Sequence, residues 1–543
     1  MISKIRSLLS NPSDLRKAAT AFGGTVLLTS AVVTGALWGF RQIGALEALE
    51  LQAYDFLMRS RPDEGPDNRL LVVGITEGDI LKQKEYPISD GLLAKILTKL
   101  EESGPRAIGI DILRDVPQGQ GRSTLIDVLK KNDNIIAACK LSSASEPGNP
   151  AAPGVPEERI GFADLPQEPD TSIRGGILVS TPTAPSTPVE NKHLCNIPDL
   201  NNQIPSLSFL LSLLYLEPQG IALDQTEDGE LKLGSTVFKR LEEDAGGYHK
   251  AGTEDYRVLL NYRSAQNAAK QVTISEVLEG KVDPALIKDR VVLVGYLAQS
   301  ANDDFSTPYS AGQKDNKKMP GVVIHAQSVS QILSATLDNR PLLGYWSQGA
   351  EFFWILGWSV VGGTLAWSIR RPWVFGLAGG VAIAILAGSC YALFLSAVWV
   401  PLVPPALALV GTALGALLID RYAQAIVESV KGVLKLNIEI DQSKKESQVA
   451  EITETEYFQN LQEKAKLLRN KKNNPTNPEE VRAAITEVEE VKLPVQESEP
   501  VPESEPSTSE PSTSEPSTEE DDYFQKLQRK GKRLRKKDDE SIE

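Results

Sequence analysis

Histidine is almost missing from this chain: there are three in 543 residues, His193, His249 and His325, and none beyond position 325. That excludes a phosphoacceptor-type histidine from the C-terminal region, and no second histidine or cysteine stands at metal-ligand spacing from His325. Cysteine is as scarce, with Cys139, Cys195 and Cys390 alone, which excludes a disulfide-stapled framework. Positive charge is outweighed: 57 Lys and Arg face 72 Asp and Glu, a net charge of −15, so a protein built mainly to bind nucleic acid is excluded. Residues 422–543 hold neither a P-loop nor a Gly-rich nucleotide motif. No enzyme and no cofactor is expected from the chain.

Long apolar runs, by contrast, are present. Four stretches have the roughly 20 residues that a bilayer-crossing helix needs: 18–40, 352–369, 373–395 and 398–419. The first is longer than a signal-peptide core and reads as an uncleaved signal-anchor. Lys4, Arg6, Arg16 and Lys17 precede it, Arg370 and Arg371 follow the second run, and Arg421 follows the fourth. Cationic flanks stay in the cytoplasm, so 1–17 and the region from 420 onward are expected inside and residues 42–349 outside. Glu351 falls at the outer lip of the second run, where water is expected to reach its carboxylate.

The outer segment alternates short apolar runs with amphipathic stretches. "RLLVVGIT" (69–76), "RAIGIDIL" (106–113) and "NIIAACKL" (134–141) read as strands. "SDGLLAKILTKLEESG" (89–104) and "TLIDVLKKN" (124–132) read as helices between them, the first with Ser89 as its N-cap. This β-α-β-α-β order predicts an α/β domain with a mixed, largely parallel sheet. Further strands are expected at 256–263 and 290–297, a helix at about 321–337, and Pro-rich loops at 147–156 and 181–188. Glu77, Asp79, Asp111, Asp303 and Asp304 sit just past predicted strand ends, where ligands of open parallel sheets bind, and with His325 they form the candidate ligand set. The bland alternative is that such acids cap helices and organise turns. Cys139 and Cys195 can pair if this segment lies outside the reducing cytoplasm; two buried thiols are the alternative.

"VVGITEGDI", "PISDGLLAKIL", "IGIDILRDVP", "GFAD", "LLNYR", "VLVGYLAQSANDDFSTPYS" and "MPGVVIHAQSVSQILSATLDNRPLL" together resemble the second type of CHASE domain, over roughly 47–345. That module is an extracellular sensor associated with cyclases and histidine kinases. The resemblance continues through "WILGWSVVGGTLAW" and "VWVPLVPPAL" into the apolar runs. It implies one helix, an external sensor and three more helices in a bacterial receptor, with no ligand implied. Matching positions include Asp79, Asp111, Asp303, Phe305, Thr307, Pro308, Met319, Pro320, Gly321, His325 and Ala326. One departure concerns a turn: "PDTSIRGG" (169–176) has Asp170 and Arg174, but Thr171 where the family tends to carry glycine.

Residues 420–455 read as a juxtamembrane helical extension. Beyond them stand twin segments, "EYFQNLQEKAKLLRNKK" (456–472) and "DYFQKLQRKGKRLRKKD" (522–538), on either side of a Pro/Glu/Ser/Thr-rich spacer at 473–521 that cannot bury enough apolar area to order itself. Each twin carries one helical stripe: Phe458, Leu461, Ala465 and Leu468 in the first, Phe524, Leu527, Gly531 and Leu534 in the second, with Tyr457 and Tyr523 beside them. So short a helix is marginal alone, so folding on a partner is expected: a cytoplasmic protein or the anionic inner leaflet. Solvated charge is the alternative. Three roles stay in play for the whole chain: a receptor or adaptor, a structural membrane organiser without ligand, and an external metal-dependent hydrolase. A homo-oligomer is left open.

Overall fold

The computed structural model describes residues 23–419, except 253–254, 267 and 311–317, together with the single position Lys466. The tail residues Tyr457, Phe458, Leu461, Leu468, Tyr523, Phe524, Leu527 and Leu534 lie outside the described residues.

A π-helical turn, Gly23–Leu27, leads into α1 (Leu28–Gln42), and α2 (Glu47–Arg59) follows at an angle of 89°. Then β1 (Leu70–Ile75), α3 (Glu77–Gln83), α4 (Asp90–Glu101), β2 (Ala107–Asp111), α5 (Arg122–Lys131), β3 (Ile135–Cys139) and β4 (Ile160–Phe162) build the expected repeat. β11 (Lys270–Thr273), α7 (Ile274–Leu278) and β12 (Val291–Tyr296) return much later in the chain to complete the sheet. Its order is β11-β1-β12-β2-β3-β4 and every pairing is parallel.

Such a sheet is covered on both faces, which is why β1 reads LLVVGI with all six residues buried. Alternation still divides the strand. Leu70 and Val72 join one core, whereas Leu71, Val73 and Ile75 join the other. α4 covers the second face through Leu93, Ile96, Leu97 and Leu100, and Ser89 Oγ accepts the Leu92 N–H at its start. The first face is covered by α2, α6 (Leu207–Leu216) and α8 (Gly321–Asp338).

The 256–263 strand belongs elsewhere. β5 (Gly175–Ser180), β6 (Ile204–Pro205) and β10 (Tyr256–Leu259) form a separate antiparallel sheet, linked to the edge of the parallel one by the bridge between Phe162 and Ser206. A small meander of β7 (Leu223–Gln225), β8 (Leu231–Leu233) and β9 (Thr236–Phe238) lies between β6 and β10 in sequence. β13 (Asp304–Phe305) pairs with β14 (Met319–Pro320) immediately before α8.

After α8 come β15 (Gly344–Tyr345), α9 (Gln348–Ser368), α10 (Pro372–Leu395), β16 (Val398–Trp399) and α11 (Val403–Ile419). The expectation of four spans holds only in part: among the described residues α10 is the one single helix long and apolar enough to cross a membrane, and α1 with α2 is so only as one bent pair. α9 opens on polar Gln348 and acidic Glu351, α11 is short, and part of the 18–40 run lies outside the described residues. The reading of Glu351 is corrected. Its side chain is fully buried against Arg41 of α1 rather than open to water. Cys139 and Cys195 form a disulfide, and Cys390 is free and buried.

Candidate functional site

β2 and β12 lie side by side, with Asp111 at the end of β2 opposite Gly295. The chain beyond β12 turns back through β13 and β14 into α8, and this hairpin lays Asp303 over the first residue of that helix. Gly321 N–H donates to the Asp303 carbonyl at 2.9 Å. A Cβ at Gly321 would stand only 2.9 Å from Asp303 Oδ2, so the approach depends on the bare glycine.

One helical turn further along, His325 reaches the same place. Its Nε2 lies 3.8 Å from Asp111 Oδ1 and 3.3 Å from the Ala163 carbonyl oxygen. Its Nδ1 is 2.8 Å from Ser208 Oγ on α6. A carbonyl only accepts, so Nε2 carries the hydrogen and Nδ1 accepts from the Ser208 hydroxyl. Burial holds the imidazole down at about 4, the Asp303 charge pushing back only in part, so the ring is neutral at ordinary pH.

The carboxyls move the other way. Burial pushes Asp111 up to about 7. Burial, then the neighbouring Asp111 charge, pushes Asp303 up to about 7 as well. Asp111 Oδ2 is buried and has no hydrogen-bond partner. Asp164, which follows β4, joins the cluster from its far side: it accepts the Leu141 N–H at 2.8 Å, and burial raises it too.

Three of the six predicted residues therefore converge: Asp111, Asp303 and His325. The other three are engaged elsewhere, although Asp304 follows Asp303 directly and its charge acts on it. Asp79 closes a capping box with Thr76 and accepts the Ser275 N–H. Glu77 accepts from Ser300 N at 2.9 Å and from Ser300 Oγ at 3.1 Å, tying α3 to the turn after β12. Asp304 lies in β13, partly exposed, with Lys318 as its nearest countercharge. Among the described residues, no three His, Cys, Asp or Glu are grouped to hold a metal ion.

Residues 30–364 match the family model of the CHASE2 domain. The chain belongs to the CHASE2 family. No curated protein and no solved structure matches it. CHASE2 is an extracellular sensor domain of membrane receptors, and the match spans α1 and most of α9 as well as the sheet.

Sequence reasoning passed over two further features of this CHASE2 domain. One is a guanidinium hub. Arg174, 1% exposed, meets Asp55 of α2 through two 2.7 Å contacts, Glu168 at 2.6 Å and Asp170 at 2.6 Å. Tyr248 Oη donates to the other Glu168 oxygen. Burial raises the Glu168 carboxyl despite Arg174 beside it. Thr171 takes the left-handed turn that precedes Arg174, at φ +66, without the expected glycine.

The other feature is a junction with the apolar helices. β15 pairs with β16, and Trp399 is buried against Tyr54 and Tyr248. Gly246 makes this possible: it sits at φ +55, and a Cβ there would meet the indole at 2.3 Å. Glu50 of α2 accepts the N–H groups of Leu402 and Val403 at 2.7 and 3.1 Å, capping the start of α11. Asp164 was legible only as part of "GFAD", and nothing local marks Ser208, Trp399 or Glu50.

Proposed function

We propose that the chain is a multi-pass membrane receptor whose CHASE2 domain reads an extracytoplasmic signal and passes it to the helices that lead inward. In this reading α1, α9, α10 and α11 all cross the bilayer. Exposed Val32, Phe353, Leu377 and Leu414 give each of them a lipid-facing side, and Ser359, Thr412 and Gly362 supply the small, polar contacts typical of helices packed in lipid. The turn between α10 and α11 packs into the domain, while Arg370 and Arg371 mark the opposite end, as the positive-inside rule asks of an external domain.

The observation that carries the reading is Trp399. A residue from the loop between two apolar helices is a core residue of the sensor, so a domain rearrangement has a mechanical route into α11. The crevice at Asp111, Asp303 and His325 is the assigned input, and the twin tail motifs are the assigned output, recruiting a cytoplasmic protein. No catalytic role is assigned.

The test uses the full chain in lipid nanodiscs. Its unfolding midpoint is followed by intrinsic fluorescence against a panel of polar metabolites and ions at fixed pH, and again across pH. A stabilising condition that also alters hydrogen exchange at 396–403 supports a receptor. If no solute and no pH moves both the domain and that turn, the receptor reading fails. For the tail, full chain carrying Phe458→Ala with Phe524→Ala is expected to lose the cytoplasmic protein that wild type retains.

A further inference from the structure

Asp111, Asp303 and His325 come from three separate elements, β2, the β12–β13 connection and α8, yet they share one enclosed spot. The Asp111 side chain keeps 9% of its exposure, and one of its oxygens lacks a partner. A ligand for this spot has to be very small, because even a Cβ at Gly321 would meet Asp303 at 2.9 Å. A metal ion has no ring nitrogen to use. His325 Nε2 carries its hydrogen toward Ala163, and Nδ1 is taken by Ser208.

We propose that the signal read at this crevice is the proton itself: Asp111 with Asp303 binds one hydron from the extracytoplasmic side, and its loss loosens the first turn of α8. This rests on the receptor reading above and names its ligand. Asp303 faces the N-terminus of α8, which favours the charged carboxylate, so the proton is assigned to Asp111 Oδ2.

The surrounding groups do not neutralise a second negative charge. His325 is neutral, Asp164 and Asp304 are themselves acidic, and the nearest lysines, Lys140 and Lys318, act on those outer two acids. Losing the proton therefore sets two buried carboxylates against each other at the start of α8. That helix runs through residues 339–343 into β15, which pairs with β16 beside α11.

The sign of the linkage follows from the shifts. Asp111 and Asp303 are raised on folding, so their stabilising share is complete at acid pH and is lost as pH rises through about 7. His325 acts in the opposite sense, since its pKa is lowered to about 4; its share is complete above the unfolded value of 6.5 and is lost as pH falls toward about 4. The two windows overlap between about 4 and 6.5, where His325 opposes the carboxyls; from 6.5 to about 7 the carboxyls act alone, and above about 7 they add no further slope.

The full chain in nanodiscs is taken from about pH 5 to about pH 8.5, with unfolding midpoint and hydrogen exchange as readouts. Wild type is expected to lose stability as pH rises toward about 7 and to level off above it, with faster exchange at 321–326 after correction for intrinsic rates. Asp111→Asn flattens that fall, Asp303→Asn moves the transition at least about one unit lower, and Asp164→Asn leaves it in place. Asp303→Asn serves alone if Asp111→Asn does not fold. Superimposable profiles for wild type and the first two variants would overturn the proposal. So would a midpoint that follows sodium or potassium at constant ionic strength rather than pH. A solute that stabilises wild type while those profiles coincide sinks the proton and keeps the receptor; a pH effect on 321–326 that never reaches 396–403 keeps the proton and sinks the receptor.

Discussion

Trp399, in the turn between two apolar helices, meets Tyr54 of α2 edge-on with ring centroids 4.9 Å apart, and both side chains are buried. Tyr54 lies next to Asp55, the residue that holds Arg174, so turn, helix and guanidinium hub share one contact chain. Trp399→Ala is expected to lower stability by about 3–5 kcal/mol, the usual cost of emptying a large aromatic site. It should also speed exchange at 246–248, where Gly246 and Tyr248 line the indole. Thermal unfolding and hydrogen exchange of the full chain check both. An unchanged midpoint would show that the turn does not anchor the domain.

Arg174 balances carboxylates that cannot reach water, so its removal is predicted to be severe. Arg174→Met leaves Asp55 and Glu168 as unpaired buried charges, at a cost of about 3–5 kcal/mol. The deficit has a pH signature. Glu168, already raised by burial, takes up a proton more readily once the cation is gone, so the variant regains stability relative to wild type as pH falls. Midpoints measured for both proteins at acid and neutral pH decide this. A deficit independent of pH would assign the loss to packing instead.

Much of the sheet was readable because strands and helices leave different periodicities. The all-buried run of β1 and the Leu93, Ile96, Leu97, Leu100 stripe of α4 are local signals. The place of β12 between β1 and β2 is not, since all three strands are apolar on both faces and nothing local ranks their partners. Asp111, Asp303 and His325 were findable because acids past strand ends are a positional rule. Ser208 has no such rule, and Asp164 escaped it because the three-residue β4 before it was too short to be read as a strand. Glu351 was misread because its partner Arg41 is 310 residues away.

Thr171 occupies a left-handed turn, φ +66, that a β-branched side chain adopts at a cost. The turn survives because Thr171 N–H donates to the Glu168 carbonyl at 2.8 Å and Asp170 is held by Arg174. Thr171→Gly should relieve the strain and raise stability by up to about 1 kcal/mol, after the entropy that glycine adds to the unfolded chain. Thr171→Val should not. A midpoint that drops with glycine would mean the threonine side chain makes contacts worth more than the strain.

The disulfide offers a check on which side of the membrane the CHASE2 domain folds. Cys139 closes β3 and Cys195 lies in the loop before β6, packed with Phe162 and Ile204. A compartment that keeps thiols reduced would leave the pair open. Protein denatured straight from cells and treated with a maleimide polymer should take one adduct, at Cys390, and three after reduction. Cys139→Ser with Cys195→Ser should cost about 2–4 kcal/mol by freeing the unfolded chain, read as a lower midpoint. Three adducts without reductant would place this domain in the cytoplasm and overturn the orientation from which the proton reading draws its extracytoplasmic source.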